Sequence, residues 1–280
     1  MLREMIDLQF IVGGALVGFI VGVTGVGGGS LMTPLLTLAF GVPAQVAVGT
    51  DLLFAGITKA HGAWVHARRG NVDWSVTAWL AAGSLPASMA TLFALHAIGR
   101  HSPGFDHTVA RALGLTLMLT ATALIFKEQI RELGARLVPS GTGRGTLATV
   151  ALGPGSMGGA DARPRPVATM VVGALIGALV TLTSVGAGAI GVVALLFLYP
   201  RLEIRRIVGA DVAHAVPLTL LAGLGHVGLG AVNWSMLIAL LIGSLPAITL
   251  GAAVAHRVPD RALRIALSLM LLLLGGRLLT

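Results

Sequence analysis

Long apolar runs separated by short polar stretches dominate the chain. In the first half they cover residues 8–23, 31–40, 46–65, 74–98 and 109–126, and in the second half 167–182, 190–198, 207–229, 234–255 and 262–279. A helix needs about 20 apolar residues to cross a bilayer. Most of these runs therefore predict membrane-spanning helices. The short runs 31–40 and 190–198 predict half-helices or the return arms of re-entrant hairpins.

The two series of runs also match residue by residue. Gly49, Asp51, His66, Trp74 and Ser84 recur in the same order and at one constant spacing as Gly209, Asp211, His226, Trp234 and Ser244. The chain is therefore a duplicated unit. Because each half has five segments, an odd number, the second half is predicted to enter the membrane from the opposite side.

Basic residues are sorted between the two faces that this topology defines. One face collects Arg68, Arg69, Lys127, Arg131, Arg136, Arg144, Arg163, Arg165, Arg201, Arg205, Arg206, Arg257 and Arg261. By the positive-inside rule that face is cytoplasmic and both termini lie outside. The prediction is an all-α integral membrane protein with two inverted-topology five-segment repeats and broken or re-entrant helices. The repeats are 1–126 and 167–280, and the linker 127–166 is a cytoplasmic connector with one amphipathic turn.

Composition narrows the class of protein further. With 55% hydrophobic and 11% charged residues, the chain lacks the surface charge that a soluble fold of 280 residues needs. The net charge of +8 follows from the sorted loops, so we expect the lipid bilayer and not nucleic acid as a partner. The absence of cysteine excludes disulfides and thiolate metal sites.

A glycine cluster interrupts an apolar run in each half, at residues 24–30 and 183–188. Glycine weakens a helix, so such clusters indicate a need for exposed backbone, whose N–H groups at a helix start suit an anion. The alternative is close helix packing through small residues. The clusters and their hydroxyl neighbours give the candidate anion ligands Thr24, Gly27, Gly28, Gly29, Ser30, Thr33, Thr183, Ser184, Gly186 and Gly188.

Lys59 is an ionisable residue inside a predicted span. It precedes Arg68 by nine residues, about 14 Å along a helix, and so lies near the middle of a hydrocarbon core of about 30 Å. Intramembrane ionisable residues are costly and indicate function, here a cation that helps to hold an anion. The alternatives are snorkelling to the interface and pairing with a structural carboxylate. The matched position in the second half is Thr219.

Three further residues are candidates for proton coupling. Asp51 and Asp211 occupy matched places near the starts of their segments, where helix capping is the alternative role. His214 lies one turn after Asp211 and before the helix-kinking Pro217. His66 and His226 are predicted to be interfacial anchors.

The sequence predicts no metal site, because no segment has histidines at i and i+4 with an acidic partner. It predicts no nucleotide or other cofactor, because the first glycine cluster lacks a Gly-Lys-Ser/Thr ending. A carrier working by alternating access fits the broken helices. A passive anion channel fits them as well. An intramembrane hydrolase would need a base placed against Ser30, and a cation carrier would need more carboxylates and no Lys59.

The chain resembles the TauE/SafE family of sulfite and organosulfonate exporters. The resemblance rests on the lead-in 14–18, the glycine cluster 25–30, Pro34, and the Gly-Thr-Asp at 49–51 that opens the third segment. It covers both halves and is weakest in the linker. The resemblance implies a permease of the bacterial inner membrane that moves small sulfur-containing anions.

Overall fold

The computed structural model describes residues 2–24, 29–98, 105–137, 165–254 and 260–279. These residues form eleven helices and no strand. In chain order the helices are α1 Leu2–Thr24, α2 Gly29–Leu38, α3 Ala44–Arg68, α4 Trp74–Ile98, α5 Phe105–Ile125, α6 Lys127–Leu137, α7 Pro166–Thr183, α8 Ala189–Leu198, α9 Ile204–Gly228, α10 Trp234–Val254 and α11 Asp260–Leu279. The predicted all-α membrane protein is confirmed at this level.

Five of these helices are long and apolar enough to cross a membrane. They lie at Trp74–Ile98, Asp106–Ile125, Pro166–Thr183, Ile204–Gly228 and Trp234–Val254. Large apolar side chains on their outer faces are exposed, among them Phe93 and Leu250. That pattern suits surroundings of lipid, where an apolar surface carries no penalty.

The linker differs from its prediction where it is described. Residues Lys127–Leu137 form three helical turns instead of one, with charged residues on one side and Leu133 and Leu137 exposed. A Cβ added at Gly134 would press on the backbone of Phe197, so α6 lies directly against α8. The mixed stretch 146–152 falls outside the described residues.

Each short helix returns toward the start of the long helix before it. The Tyr199 hydroxyl, just past the end of α8, accepts a hydrogen bond from the Arg165 N–H and pairs with the Thr169 hydroxyl at the start of α7. In the first half, the Phe40 ring after α2 packs on Phe10 of α1 with ring centroids 5.2 Å apart. The short helices α2 and α8 are therefore return arms of hairpins.

Each hairpin packs on a helix of the other half. A Cβ at Gly14 or Gly18 of α1 would collide with the carbonyls of Leu240 or Ser244 in α10. The matched contacts bring Gly173 and Gly177 of α7 against Leu80 and Ser84 of α4. Residue numbers rise together in both pairs, so the helices run parallel, with backbones in the close contact that small residues permit.

Helices α3 and α9 form the centre of the bundle and run antiparallel. Gly49 of α3 packs on Ala231 beyond the end of α9, Gly56 packs on Leu220, and Gly62 faces Val212 near the start of α9. The buried aspartate, lysine and histidine residues among those that the structure describes all lie on this pair: Asp51, Lys59, Asp211, His214 and His226.

Candidate functional site

The second glycine cluster is a break between two helices. Helix α7 ends at Thr183, and Ser184 caps it in the left-handed conformation with φ of 59°. Gly186 and Gly188 have φ of 123° and 133°, values that side chains disfavour, and α8 begins at Ala189. The Ser184 N–H closes the last turn of α7 on the Val180 carbonyl, and the Val185 N–H bonds the Thr183 hydroxyl. The break is buried in protein, as irregular backbone at membrane depth must be.

The first cluster is described only at its edges. Thr24 ends α1, and Gly29 and Ser30 begin α2. The candidate ligands Gly27 and Gly28 lie outside the described residues.

Asp51 of α3 joins the two hairpins. Its Oδ2 accepts hydrogen bonds from the Thr33 hydroxyl of α2 at 2.6 Å and from the Ser184 hydroxyl at 2.7 Å. The two hydroxyl oxygens are also within hydrogen-bonding distance of each other. At most 2% of each of these residues is exposed, so the cluster is shielded from solvent. Such hydrogen bonds are strongest when the carboxyl group is ionised.

Lys59 lies two turns farther along α3 and is only 7% exposed. Its Nζ donates a hydrogen bond to the Ala187 carbonyl in the break between α7 and α8, at 2.8 Å. The ammonium interacts electrostatically with Asp211 and Asp51. No ion pair within 4.0 Å joins it to either carboxylate. Lys59 is therefore a buried cation between two buried acids, held by the hairpin backbone.

Asp211 of α9 is completely buried. Neither of its carboxylate oxygens has a hydrogen-bond partner among the described residues. A Cβ added at Gly191 of α8 would overlap its Oδ1, so this carboxyl fits only because residue 191 is glycine. Lys59 is the charge that interacts with it.

His214 lies one turn beyond Asp211 and is also fully buried. Its Nε2 is 2.7 Å from the Ser84 hydroxyl of α4, while its Nδ1 has no partner among the described residues. The tautomer of the ring decides whether His214 or Ser84 donates in this contact.

The structure brings together some of the residues singled out from the sequence and leaves others apart. Thr33, Lys59 and Ser184 gather around Asp51 and the helix break. The Thr183 hydroxyl donates to the Leu179 carbonyl of its own helix and accepts a hydrogen bond from the Val185 N–H in the break. His226 likewise bonds the carbonyl of Ala222, one turn earlier in its own helix.

Two residues of the site were missed by reasoning from the sequence. Ser84 stands in a motif, Gly-Ser-Leu-Pro, that is repeated at 243–246, so the repeat itself was a signal. Gly191 gave no signal, because its role depends on contact with a helix elsewhere in the chain.

Comparisons with known proteins agree on the class of this chain. Residues 10–278 match the family model described as sulfite exporter TauE/SafE. The chain is 30% identical over 277 residues to the probable membrane transporter protein YjnA of Bacillus subtilis, covering 98% of this chain and all of the relative. It is 26% identical over 254 residues to the probable membrane transporter protein YdhB of the same organism, covering 91% and 92% of the two chains. No solved structure matches. With almost its whole length matched, the chain belongs to the TauE/SafE family of membrane transporters.

Proposed function

We propose that this protein exports small sulfur-containing anions, such as sulfite or organosulfonates, by alternating access. The observation that carries the proposal is the buried Lys59 ammonium at the break between α7 and α8. A cation beside non-helical backbone is what an anion needs in a low-dielectric interior. The family description, sulfite exporter, supplies the substrate class.

The charges of the site favour coupling to protons. Lys59 carries one positive charge, and Asp51 and Asp211 together carry two negative charges when both are ionised. An anion can share this buried space only if protons neutralise carboxyl groups, because unpaired buried charge is expensive. Asp51, Asp211 and His214 are the groups able to take up those protons.

Alternating access would use two inverted repeats. The antiparallel crossing of the matched helices α3 and α9 supports this, since equivalent helices of inverted repeats point in opposite directions. The exchanged packing of α1 on α10 and α7 on α4 supports an approximate two-fold relation between the halves. The two hairpins would rock as units around the fixed Lys59.

In the cell the protein would lie in the bacterial inner membrane. The arginine-rich face and the linker 127–166 would be cytoplasmic, with both termini outside. The basic residues Arg131 and Arg136 of α6, next to the exposed leucines, support an interfacial position for that helix.

Counterflow in proteoliposomes tests the proposal. Vesicles loaded with unlabelled sulfite, thiosulfate or methanesulfonate are diluted into the labelled anion. We expect transient, saturable accumulation of at least one of the three anions. Uptake that never saturates and shows no counterflow would indicate a passive channel, and absence of any response to all three would reject anion transport.

A further inference from the structure

Two acids at matched places in the repeat have different surroundings. Asp51 accepts hydrogen bonds from Thr33 and Ser184 on one carboxylate oxygen. Asp211 accepts none from the described residues on either oxygen, although it is just as deeply buried. The repeat therefore contains one acid that is held by hydroxyl groups and one that is not.

Hydrogen bonds donated to a carboxylate stabilise its ionised form. The two hydroxyls therefore favour the ionised form of Asp51 whether or not a ligand is bound, although its Oδ1 has no partner among the described residues. Asp211 has no such donors, so only the attraction of Lys59 offsets the cost of keeping it charged in the interior.

The charged groups around Asp211 leave Lys59 as its one nearby compensating charge among the described residues. Helix α9 itself carries His214 one turn later, Arg205 and Arg206 at its first turn, and His226 in its last turn. Helix α3 supplies Lys59, with His61, His66 and Arg68 toward the start of α9 and Asp51 in the opposite direction. The His66 ring lies beside Gly209, two residues before Asp211. Helices α7 and α8 carry no titratable side chain, and the one on α4 is His96 in its last turn.

An anion that binds at Lys59 would interact with the ammonium group in place of Asp211. The carboxylate would then be buried, without a donor and without a compensating cation. For a monovalent anion such as methanesulfonate, taking up one proton on a carboxylate oxygen removes that cost and restores the net charge of the site. Asp51 keeps its hydroxyl donors through the same event.

On this basis, and resting on the proposed anion transport, we propose that Asp211 is the residue that carries the coupled proton. Asp51 is instead a positioning residue that ties the second hairpin, through Ser184, to α2 and α3. Gly191 belongs to the proton site because it provides the space that the Asp211 carboxyl occupies.

Because Asp51 and Asp211 occupy matched positions, the same substitution at one serves as the control for the other. Asp211→Asn imitates a permanently protonated carboxyl, and Asp51→Asn makes the same change at the matched position. Full-length wild type and both variants, in detergent without added buffer, are mixed with sulfite, thiosulfate or methanesulfonate. A pH-indicator dye reports proton uptake, and equilibrium binding of the labelled anion reports occupancy.

We expect wild type and Asp51→Asn to take up one proton per bound methanesulfonate, while Asp211→Asn binds this anion and takes up none. In proteoliposomes Asp211→Asn should keep counterflow and lose anion-driven proton movement. Asp51→Asn should transport more slowly with the same number of protons per anion.

Several results would overturn the assignment. These are wild-type binding without proton uptake, loss of uptake in folded Asp51→Asn, or loss of anion binding in folded Asp211→Asn. If Asp211→Asn does not fold, as judged by size exclusion and thermal melting, proton uptake is compared in Asp51→Asn and His214→Phe, and loss of uptake in either folded variant overturns the assignment. Wild type that binds none of the three anions would instead reject the proposed function, whatever the variants do.

Discussion

The central helices α3 and α9 carry aspartates at matched positions, and these two side chains have different neighbours. Around Asp51 of α3, two hydroxyl groups from two other elements converge on one carboxylate oxygen. Around Asp211 of α9, the neighbouring helix contributes only the bare backbone of Gly191. The next polar residue along α9 is His214, which does not bond Asp211, and the matched position in α3 is Phe54.

The difference shows how duplication and divergence contribute separately to a site. Duplication accounts for the paired acids, the paired hairpins and the glycine contacts that align them. Divergence accounts for single features, such as Lys59 where the other half has Thr219, and Ser184 where the first cluster has Gly25. A nearly symmetric scaffold thus holds an asymmetric set of charges, which is what a single substrate requires.

The largest expected effect on the transport rate comes from removing Lys59, a cation that is present in one half only. Lys59→Ala should slow anion counterflow at least about tenfold, which corresponds to about 1.4 kcal/mol of lost interaction. Thr219→Ala makes the matched change in the other half and should leave counterflow close to wild type. Radiolabelled counterflow in proteoliposomes measures both. Equal rates in the two variants would show that the site does not depend on the asymmetry.

A methyl group added at Gly191 should disturb the packing of the Asp211 carboxyl. The new Cβ would overlap Oδ1 of Asp211, and overpacking of this kind costs about 1–3 kcal/mol. We expect Gly191→Ala to melt at a lower temperature and to transport more slowly. Gly228→Ala is the control in the last turn of α9, because a Cβ there has open space. A Gly191→Ala protein as stable and active as that control would contradict the packing around Asp211.

Substitutions of Ser184 test the hydrogen bond that it donates to Asp51. Ser184→Ala removes a hydrogen bond to a buried carboxylate and should lower the free energy of unfolding by about 1–3 kcal/mol. Ser184→Gly removes the same hydroxyl but tolerates the left-handed φ of 59°. The difference between the two variants, about 1 kcal/mol, therefore measures backbone strain. Unfolding in mixed detergent provides the measurement, and an unchanged stability of both variants would contradict the Asp51 cluster.

The smallest expected effect concerns the contact between His214 and Ser84. A double-mutant cycle of His214→Phe, which imitates Phe54, and Ser84→Ala should give a coupling of about 0.6 kcal/mol, typical of hydrogen bonds between membrane helices. Ser244, matched to Ser84, approaches only the Leu241 carbonyl of its own helix, at 3.5 Å. The same cycle with Ser244→Ala should give no coupling, so similar values in both cycles would remove this difference between the halves.

Helix positions could be predicted because the thickness of the bilayer sets both the length of an apolar run and the length of the helix that spans it. The fourth segment, predicted at 74–98, is the helix Trp74–Ile98, and the tenth, predicted at 234–255, is Trp234–Val254. The prediction for the short segments stayed open between half-helices and hairpin arms. Length alone cannot show that Tyr199 returns to Thr169. The linker helix was underestimated, because an amphipathic surface helix has no long apolar run.

The sequence allowed the charged residues of the site to be predicted, but it did not allow their contacts to be predicted. Lys59 and the two acids stand out because charge is rare in apolar segments. Their partners do not, because Thr33 and Ser184 are 151 residues apart and meet only through the packing of two hairpins on α3. The unlike surroundings of Asp51 and Asp211 could not be derived from the sequence, where both follow a similar Gly-x-Asp pattern.

The exchange of helices between halves also has a consequence for biosynthesis. Helix α1 leaves the ribosome well before α10, yet the backbone that its glycines fit belongs to α10. The first hairpin therefore enters the membrane without this packing partner and completes its tertiary structure only after α10 has been inserted. A chain interrupted before α10 would leave Gly14, Gly18 and Gly22 facing lipid, a form that membrane quality-control proteases could recognise as unfinished.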